Sequence, residues 1–419
     1  MFKLKRNLVA ASSMLGVLLL SGGGMGLCAG RSTAVADTPE AKTPSPETTW
    51  RLYRKVPGLN LGCYDLPVFS ADGKVLVTID YAENSIQFRD ACTGELRKTL
   101  AVNKKMRLVP GLALSADGST VAVHGATFHG YFGANALKVF DVGSGKELLS
   151  LASDELGDKQ WADAQPPLPA ASVAAIANSS RPAKWADCYP ALLALSPDGQ
   201  RLAWTSEGGF ALFLTWDRAT NIVRKILNPS PSSYSYRPRL VFSPDSKTLA
   251  CGTFCAGGGR VLFFDGATGK ESEGADLGDW SGQAITFLPD GKTLAVANAF
   301  RGHPTDRSQA LLDIKMVDLN TRRVCKTHTY AGSSARDGRT LISSSRDAVL
   351  WVLSSPHEIA VWDLVTGKEE IVLRDKAGCQ AVISPDGRTL VIVQAQGDDK
   401  YKCVVSLWRR GGITDTPRK

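Results

Sequence analysis

The stretch "ISPDGRTLVIV", residues 383–393, recurs in altered form along the chain. The other copies are "FSADGKVLV" at 69–77, "LSADGSTVA" at 114–122, "LSPDGQRLA" at 195–203, "FSPDSKTLA" at 242–250, "FLPDGKTLA" at 287–295 and the weaker "ARDGRTLIS" at 335–343. Proline presets the second position of a turn, Asp bonds its own backbone, and Gly takes the left-handed position at no steric cost. Two short apolar runs around such a turn predict a β-hairpin.

The turn aspartates follow one another at a regular spacing. They are Asp72, Asp117, Asp198, Asp245, Asp290, Asp337 and Asp386, with gaps of 45, 81, 47, 45, 47 and 49 residues. A repeat of about 40–50 residues made of short strands is the signature of a propeller blade. The one long gap predicts an insertion at about 153–190.

Each period carries a second turn signal after its hairpin. An apolar strand ends in Asp and a Gly-containing turn follows, as in "FFDGATGKE" at 263–271 and "VWDLVTGKE" at 361–369. Two hairpins make four strands per period, which is the content of one blade. The sequence therefore predicts an all-β chain, a seven-bladed β-propeller of four-stranded blades.

These motifs resemble those of the WD-repeat and TolB-like propellers, in the exported bacterial form with Ser-Pro-Asp-Gly hairpins. The resemblance covers about residues 49–410, and "VWDLVTGKE" is similar to the end of a WD repeat. The Gly-His pair that usually opens a WD repeat is missing, so the hydrogen-bond tetrad that its His supports is not expected.

The two ends of the chain predict how the ring closes. The seventh period ends in "LWRRGG" at 407–412 with no fourth strand after it, whereas "WRLYRKV" at 50–56 precedes the first hairpin with no partner. Pairing the two completes the last blade and leaves no ring edge open. Residues 37–48 are then a Pro/Thr linker and residues 411–419 a C-terminal tail.

The first 36 residues resemble a secretory signal peptide. A basic start is followed by the apolar run "LVAASSMLGVLLL" at 8–20, which is short for a membrane span, and "AVA" at 34–36 offers a cleavage site. A lipid anchor at Cys28 and an uncleaved anchor are the alternatives. We expect an exported protein, periplasmic or extracellular, whose mature chain has no membrane span.

Charge and cysteine content exclude some classes of function. Removal of residues 1–36 lowers the net charge from +8 to +4, and no basic run of the mature part is typical of nucleic-acid binding. The eight mature cysteines show no CxxC pair. Cys251 and Cys255 either bridge a loop or are, like the others, small buried hydrophobic residues.

No catalytic or metal-binding motif stands out in the mature chain. Its five histidines form no HExxH or other ligand spacing, and no G-x-S-x-G elbow is present. The predicted innermost strands are apolar, whereas propeller hydrolases need carboxylates, Asn or His there. We expect no metal, no cofactor and no enzymatic activity.

The long connecting segments are the candidate binding site. They carry aromatic, His and Arg side chains, and such side chains often anchor interfaces. The candidates are His124, His129, Tyr131, Trp161, Trp185, Tyr234, Tyr236, Arg237, Arg301 and His303. We expect a monomeric scaffold that binds a protein or peptide of the cell envelope. The alternatives are a lactonase- or glycan-active enzyme and loops that merely cap the channel.

Overall fold

The computed structural model describes residues 50–56, 67–104, 106–127, 134–152, 193–205, 212–227, 239–255, 258–277, 284–300, 310–332, 341–345, 350–354, 358–363, 368–374, 380–396 and 399–411. Pro46–Lys419 forms one compact unit, and the second unit, Met1–Ser45, lies outside the described residues. The predicted signal peptide, linker and insertion lie wholly outside the described residues, and so does the predicted tail after residue 411.

All secondary structure of the described part is β-strand. Sheets 1 and 2 comprise β2 (Val68–Phe69), β3 (Val75–Asp80), β4 (Ser85–Asp90) and β5 (Leu96–Ala101), then β6 (Met106–Leu114), β7 (Thr120–Thr127), β8 (Ala134–Asp141) and β9 (Glu147–Ala152). Sheets 3 and 4 comprise β10 (Leu193–Leu195), β11 (Arg201–Thr205), β12 (Leu212–Asp217) and β13 (Ile222–Leu227), then β14 (Arg239–Phe242), β15 (Thr248–Cys255), β16 (Gly258–Asp265) and β17 (Glu271–Asp276).

Three further sheets complete the set. Sheets 5 and 6 comprise β18 (Ala284–Phe287), β19 (Thr293–Phe300), β20 (Ala310–Asp318) and β21 (Arg323–Gly332), then β22 (Leu341–Ser344), β23 (Leu350–Ser354), β24 (Glu358–Asp363) and β25 (Lys368–Arg374). Sheet 7 comprises β26 (Gln380–Ile383), β27 (Thr389–Gln396), β28 (Asp399–Arg410) and, on its outer edge, β1 (Trp50–Val56). Each of these seven sheets has four antiparallel strands, so the chain has the four-stranded blades of a propeller.

The recurring Ser-x-Asp turn explains why each first hairpin forms. In sheet 7 the Ser384 hydroxyl donates to Asp386 Oδ1 (2.6 Å) and accepts the N–H of Thr389 (2.8 Å). Asp386 Oδ1 also accepts the N–H of Arg388 (3.1 Å). The pairs Ser70/Asp72, Ser115/Asp117, Ser196/Asp198 and Ser243/Asp245 make the same hydroxyl–carboxylate bond. The motif thus satisfies the turn's polar groups locally, which fixes the hairpin register.

The predicted set of seven equivalent hairpins is wrong at one blade. Six of the predicted turns lie between the first and second strands of a sheet, but the one around Asp337 does not. The run "LIS" that follows it belongs to the first strand of sheet 6, β22. Ser345 there bonds Leu350 through its N–H and its hydroxyl (both 3.0 Å), as the turn serines of the other sheets do.

The reason for this error is local. The letters from Ser345 to Leu350, which connect β22 to β23, are "SRDAVL" and contain neither Pro nor Gly. The letters "RDG" before β22 carry the stronger turn signal, although residues 333–340 lie outside the described part. The sequence therefore predicts the turn one segment too early.

The predicted closing pair is confirmed. β1 pairs antiparallel with β28 from Trp50 opposite Arg410 to Val56 opposite Val405. The indole N–H of Trp50 donates to Glu370 of sheet 6 (2.9 Å), and Arg410 forms an ion pair with the same carboxylate. The first and last strands therefore share one anchor on the neighbouring sheet.

The core lies between neighbouring sheets. Sheet 1 packs on sheet 2 around Phe88 and Val121, and sheet 2 packs on sheet 3 around Leu149 and Trp216. Further shared clusters join sheets 3 and 4, 4 and 5, and 6 and 7. The first strands of sheets 5 and 6 are also in contact, and Leu76 of sheet 1 packs with sheet 7. Middle strands such as β3 and β4 are consequently buried on both faces, whereas outer strands such as β5 and β17 are mostly exposed.

The alternative that Cys251 and Cys255 form a disulfide is excluded. Both residues lie in strand β15, four positions apart, which places their Cα atoms about 13 Å from each other. A disulfide needs a separation of less than about 7 Å. Cys251 is instead a buried core residue, and burial raises the pKa of its thiol to about 12.

Candidate binding face

The strand order gives the sheets two different ends. In a four-stranded antiparallel sheet, the first and third turns lie at one end, here called the turn face. The connection between the second and third strands lies at the other end, together with the passage to the next sheet. We call this end the loop face. The two faces differ in length and regularity, which is the main asymmetry of the molecule.

The turn face is short and uniform. Five residues separate the first and second strands in each of the seven sheets. Four or five residues separate the third and fourth strands in the six sheets other than sheet 7, whose fourth strand comes from the start of the chain. Neighbouring turns are also bonded to each other: Ala116 N–H donates to the carbonyl of Pro197 (2.8 Å), and Asp198 N–H donates to Ser246 Oγ (3.1 Å). These bonds make the turn face a rigid base.

The loop face is irregular. Its connections inside sheets range from two residues, as at 256–257, to nine residues at 301–309. Its connections between sheets range from four residues at 102–105 to forty residues at 153–192. The sequence alone placed the insertion at about 153–190, close to these limits. A short base and long opposite loops are the usual arrangement of a scaffold that binds through its loops.

Nine of the ten candidate binding residues lie outside the described residues. They are His129, Tyr131, Trp161, Trp185, Tyr234, Tyr236, Arg237, Arg301 and His303. Each belongs to a segment that leaves or enters the loop face, since it lies between strands that meet there. Whether these side chains come together therefore stays a prediction.

The tenth candidate, His124, lies inside the fold. The sequence analysis places it on a connecting segment, but β7 continues to Thr127 and β8 begins at Ala134. His124 is 7% exposed and stands opposite Leu137, a member of the core between sheets 2 and 3. Directly opposed residues of an antiparallel pair share a face, so its ring points into this core.

The surroundings of His124 keep its imidazole neutral. Burial lowers the pKa of His124 to about 4, because a charged ring would lose its hydration. Its Nδ1 has no hydrogen-bond partner among the described residues. The innermost strand β6 bulges opposite it, between Leu108 and Leu112. His124 is thus a core residue, neutral at pH 7, and not part of an exposed binding surface.

One described loop of this face is held firmly. Asn84, in the loop between β3 and β4, donates its amide to the carbonyls of Val102 (3.2 Å) and Met106 (2.7 Å). Its Oδ1 accepts the N–H of Leu108 (2.8 Å). Its φ is 48°, a left-handed value that Asn tolerates better than most residues. A single side chain therefore ties sheet 1 to the connection that enters sheet 2.

A buried polar column, absent from the sequence predictions, runs along sheet 1. It consists of Thr78, Asp80, Ser85, Gln87 and Arg89, all less than 9% exposed. Their strand partners place them on the same face as Leu76, which packs against sheet 7. Gln87 donates to Asp80 (2.8 Å), and Arg89 donates to Gln87 (2.6 Å) and to the carbonyl of Gly94 (3.0 Å). The column runs from the loop face to the turn face, inside the interface between sheets 1 and 7 that closes the ring.

Neither a metal cluster nor a membrane helix was found in the described part of the chain. No group of three or more His, Cys, Asp or Glu side chains there is placed to hold a metal ion. None of its segments is a helix long and apolar enough to cross a membrane. A depression of about 440 Å³ lies at the turn-face end of sheet 4, lined by Lys247, Asp265, Lys270 and Glu271 among others. This depression is on the opposite side from the long loops.

Comparison with solved structures identifies the type of fold. No protein-family model and no curated protein matches the chain. Hydrazine synthase of Kuenenia stuttgartiensis aligns with a TM-score of 0.54 and 17% identity, over 82% of this chain and 94% of that one. The β-propeller domain of Cps50 (Swd1) from Myceliophteria thermophila aligns with a TM-score of 0.56 and 12% identity, over 86% and 99%.

At these identities the similarity shows the fold alone. The chain is a β-propeller with four-stranded blades. One of the two similar structures is named as an enzyme and the other as a propeller domain, so they do not choose between catalysis and binding.

Proposed function

We propose that this protein is a non-catalytic binding scaffold, an exported propeller of the WD-repeat-like or TolB-like kind, that holds a protein or peptide of the cell envelope on its loop face. The observation that carries the proposal is the contrast between the two ends of the sheets. A uniform, hydrogen-bonded turn face supports an opposite face whose connections reach forty residues. A rigid framework with variable loops serves recognition at little cost to the fold.

The composition of the loops supports a protein or peptide partner. The connections at 128–133, 153–192, 228–238 and 301–309 carry the nine candidates that lie outside the described residues. Their Trp, Tyr and Arg side chains are the types that dominate binding energy at protein interfaces. In the proposed role the protein acts as a monomer in the periplasm or outside the cell, without a cofactor.

The test is to shorten the longest connection. Replacement of residues 156–184 by a short Gly/Ser link leaves the melting temperature nearly unchanged, because loop length contributes little to closure entropy. The same replacement abolishes capture of the partner from envelope extracts by the immobilised protein. The double substitution Trp161→Ala and Trp185→Ala, made in the chain of full length, weakens capture, because these are the two largest side chains of the connection at 153–192.

A matched control changes the other face. Lys146→Ala with Lys270→Ala alters two third-turn residues of the turn face and leaves capture unchanged. Unchanged capture by the shortened protein, or equal loss in the turn-face variant, would contradict the proposal. Turnover of a lactone or glycan by the wild type that disappears in the shortened protein would favour the enzymatic alternative.

A further inference from the structure

A second surface lies on the outer rim of the ring, at β1. β1 is the outermost strand of sheet 7 and pairs with β28 on one edge only within the described residues. Five consecutive residues, 51–55, are exposed, whereas Trp50 and Val56 at the ends are buried. An outer strand of this kind presents backbone N–H and C=O groups to solvent along its other edge.

The side chains of β1 combine apolar area with positive charge. Leu52 is 46% exposed and Tyr53 50% exposed, and Leu96, the third exposed large hydrophobic residue of the described part, begins β5 of the adjacent sheet 1. Arg51 lies before this apolar pair of β1, Arg54 and Lys55 lie after it, and β1 itself contains no acidic residue. Lysine and arginine on an edge strand are enough to protect it from pairing with other strands. The exposed Leu and Tyr are not needed for that protection and indicate an interaction site instead.

The strand is held in place from the side of sheet 1. Arg54 donates to the carbonyl of Thr93 (2.9 Å), and the Arg409 guanidinium lies over the ring of Tyr53, 3.9 Å from its centroid. Gly94 approaches Val56 so closely that a Cβ there would stand 2.7 Å from a Val56 methyl group. The edge is therefore ordered before any partner arrives, which lowers the entropic cost of binding.

Two nearby occupants of this edge are disfavoured. The linker at 37–48 contains three prolines, Pro39, Pro44 and Pro46, and proline has no N–H to donate to a strand ladder. A second copy pairing through β1 would set its basic residues against the same basic residues, which is repulsive. The charge of the edge instead favours an acidic partner.

We propose that the outer edge of β1 is a docking site for an extended acidic peptide segment of another protein, which adds a fifth strand to sheet 7. The backbone of the peptide bonds the free edge, its acidic side chains meet Arg51 and Lys55, and an apolar residue rests on Tyr53 or Leu52. This mode of recognition combines backbone hydrogen bonds with side-chain selectivity at alternate positions. It is independent of the loop face.

The probe is a fluorescein-labelled peptide in which Glu and Val alternate, as long as β1 (7 residues). Fluorescence anisotropy reports its binding to the full chain, and the affinity falls as salt is raised. Arg51→Glu with Lys55→Glu weakens binding at least about tenfold, because attraction becomes repulsion. The matched control is Arg323→Glu with Lys326→Glu on β21, the outer strand of sheet 5, which changes the net charge equally and leaves binding intact.

A second probe tests strand pairing itself. The same peptide with alternate backbone nitrogens methylated keeps its charge but cannot bond an edge, and we expect it not to bind. Equal binding of the methylated peptide, equal loss in the β21 control, or no binding of the first peptide would overturn the proposal. Binding to phosphatidylglycerol vesicles instead of the peptide would overturn it in favour of a membrane surface. The protein shortened at 156–184 still binds the peptide, so this proposal and the proposed function fail separately.

Discussion

Ser246 is the residue that departs most clearly from the repeated first turn. The equivalent positions hold glycine with positive φ, such as 71° at Gly73 and 68° at Gly387, whereas Ser246 adopts 62° with a side chain present. Its hydroxyl accepts the N–H of Asp198 (3.1 Å), and its carbonyl accepts a bond from Arg201 (3.2 Å). The strained residue thus links sheets 3 and 4 at the turn face, a task that glycine could perform only in part.

Hydrogen bonds within the turns lower the pKa of several turn carboxylates. A hydrogen bond from the Ser243 hydroxyl is the main reason that the pKa of Asp245 lies below its ordinary value of 3.8, and the Ser70 hydroxyl does the same for Asp72. In Asp265 the N–H of Thr268 is the main cause of the lowered pKa. Because these folded-state pKa values are depressed, the stability they contribute is complete above pH 3.8 and is lost as pH falls below it.

His124 predicts a second loss of stability on acidification, which begins at a higher pH than the loss from the carboxylates. Its pKa falls from 6.5 to about 4 on folding, so the unfolded chain takes up the proton first as pH decreases. The wild type therefore loses up to ~3 kcal/mol of unfolding free energy between pH 6.5 and pH 4 through this one group. In His124→Leu this loss is absent, and the stability of the variant relative to the wild type rises over that interval. Urea unfolding at a series of pH values measures it.

The control is His328→Leu, since His328 is only partly buried and burial lowers its pKa less. That variant shows a smaller change over the same interval. The carboxylate effect is common to the wild type and both variants, so it cancels in the difference between their stabilities. Parallel pH profiles for His124→Leu and the wild type would show that the ring is not held neutral in the core.

At the scale of elements, β1 shows how one short strand is fixed at its two ends. Trp50 packs with Val361 and Ile392 at the junction of sheets 6 and 7, and its indole N–H bonds Glu370. Val56 packs with Leu407 and Leu76 at the junction of sheets 7 and 1. The exposed residues between them contribute pairing but little burial. The stability of the strand therefore depends mainly on its terminal residues.

Two substitutions on this strand separate these contributions. Trp50→Ala lowers the unfolding free energy by about 3–5 kcal/mol, because it removes a buried aromatic side chain and leaves the Glu370 carboxylate one donor short. Leu52→Ala, at an exposed position of the same strand, changes it by less than about 0.5 kcal/mol. Urea denaturation of both variants is the measurement. Similar losses in the two variants would show that Trp50 is not the anchor.

For the whole molecule, the ring closes within one sheet and at one interface. Sheet 7 takes three strands from the end of the chain and one from its beginning. On the turn face, Gly73 of sheet 1 lies near Pro385 of sheet 7, across the closing interface. Loss of β1 therefore exposes an edge and also removes contacts on both neighbouring sheets.

Two deletions test the closure. Deletion of residues 37–48 removes only the predicted linker and leaves the melting temperature unchanged. Deletion of residues 37–56 also removes β1 and lowers the melting temperature by roughly 5–10 °C, because it takes away two buried anchors and one strand ladder. Thermal unfolding followed by circular dichroism measures both. Equal melting temperatures would mean that β1 does not stabilise the ring.

Six of the seven first hairpin turns, the four strands per repeat and the closing strand were predictable from the sequence. Each depends on short-range chemistry, because Ser, Pro, Asp and Gly satisfy a turn within six residues and the unpaired run at 50–56 matches the missing fourth strand. The same locality explains the error at Asp337, where the stronger turn signal lay just outside the sheet. Local signals also could not show that β7 extends through His124.

Only the tertiary structure decided which faces are buried. In "VLVTID" and "SIQFRD" polar and apolar residues alternate, a pattern that by itself predicts one face in water. In the ring both faces of sheet 1 are covered, so Thr78, Gln87 and Arg89 are enclosed against sheet 7. Closure joins segments more than 300 positions apart, as the bond from Trp50 to Glu370 does. Burial at that interface depends on the packing of the whole ring, which no local pattern encodes.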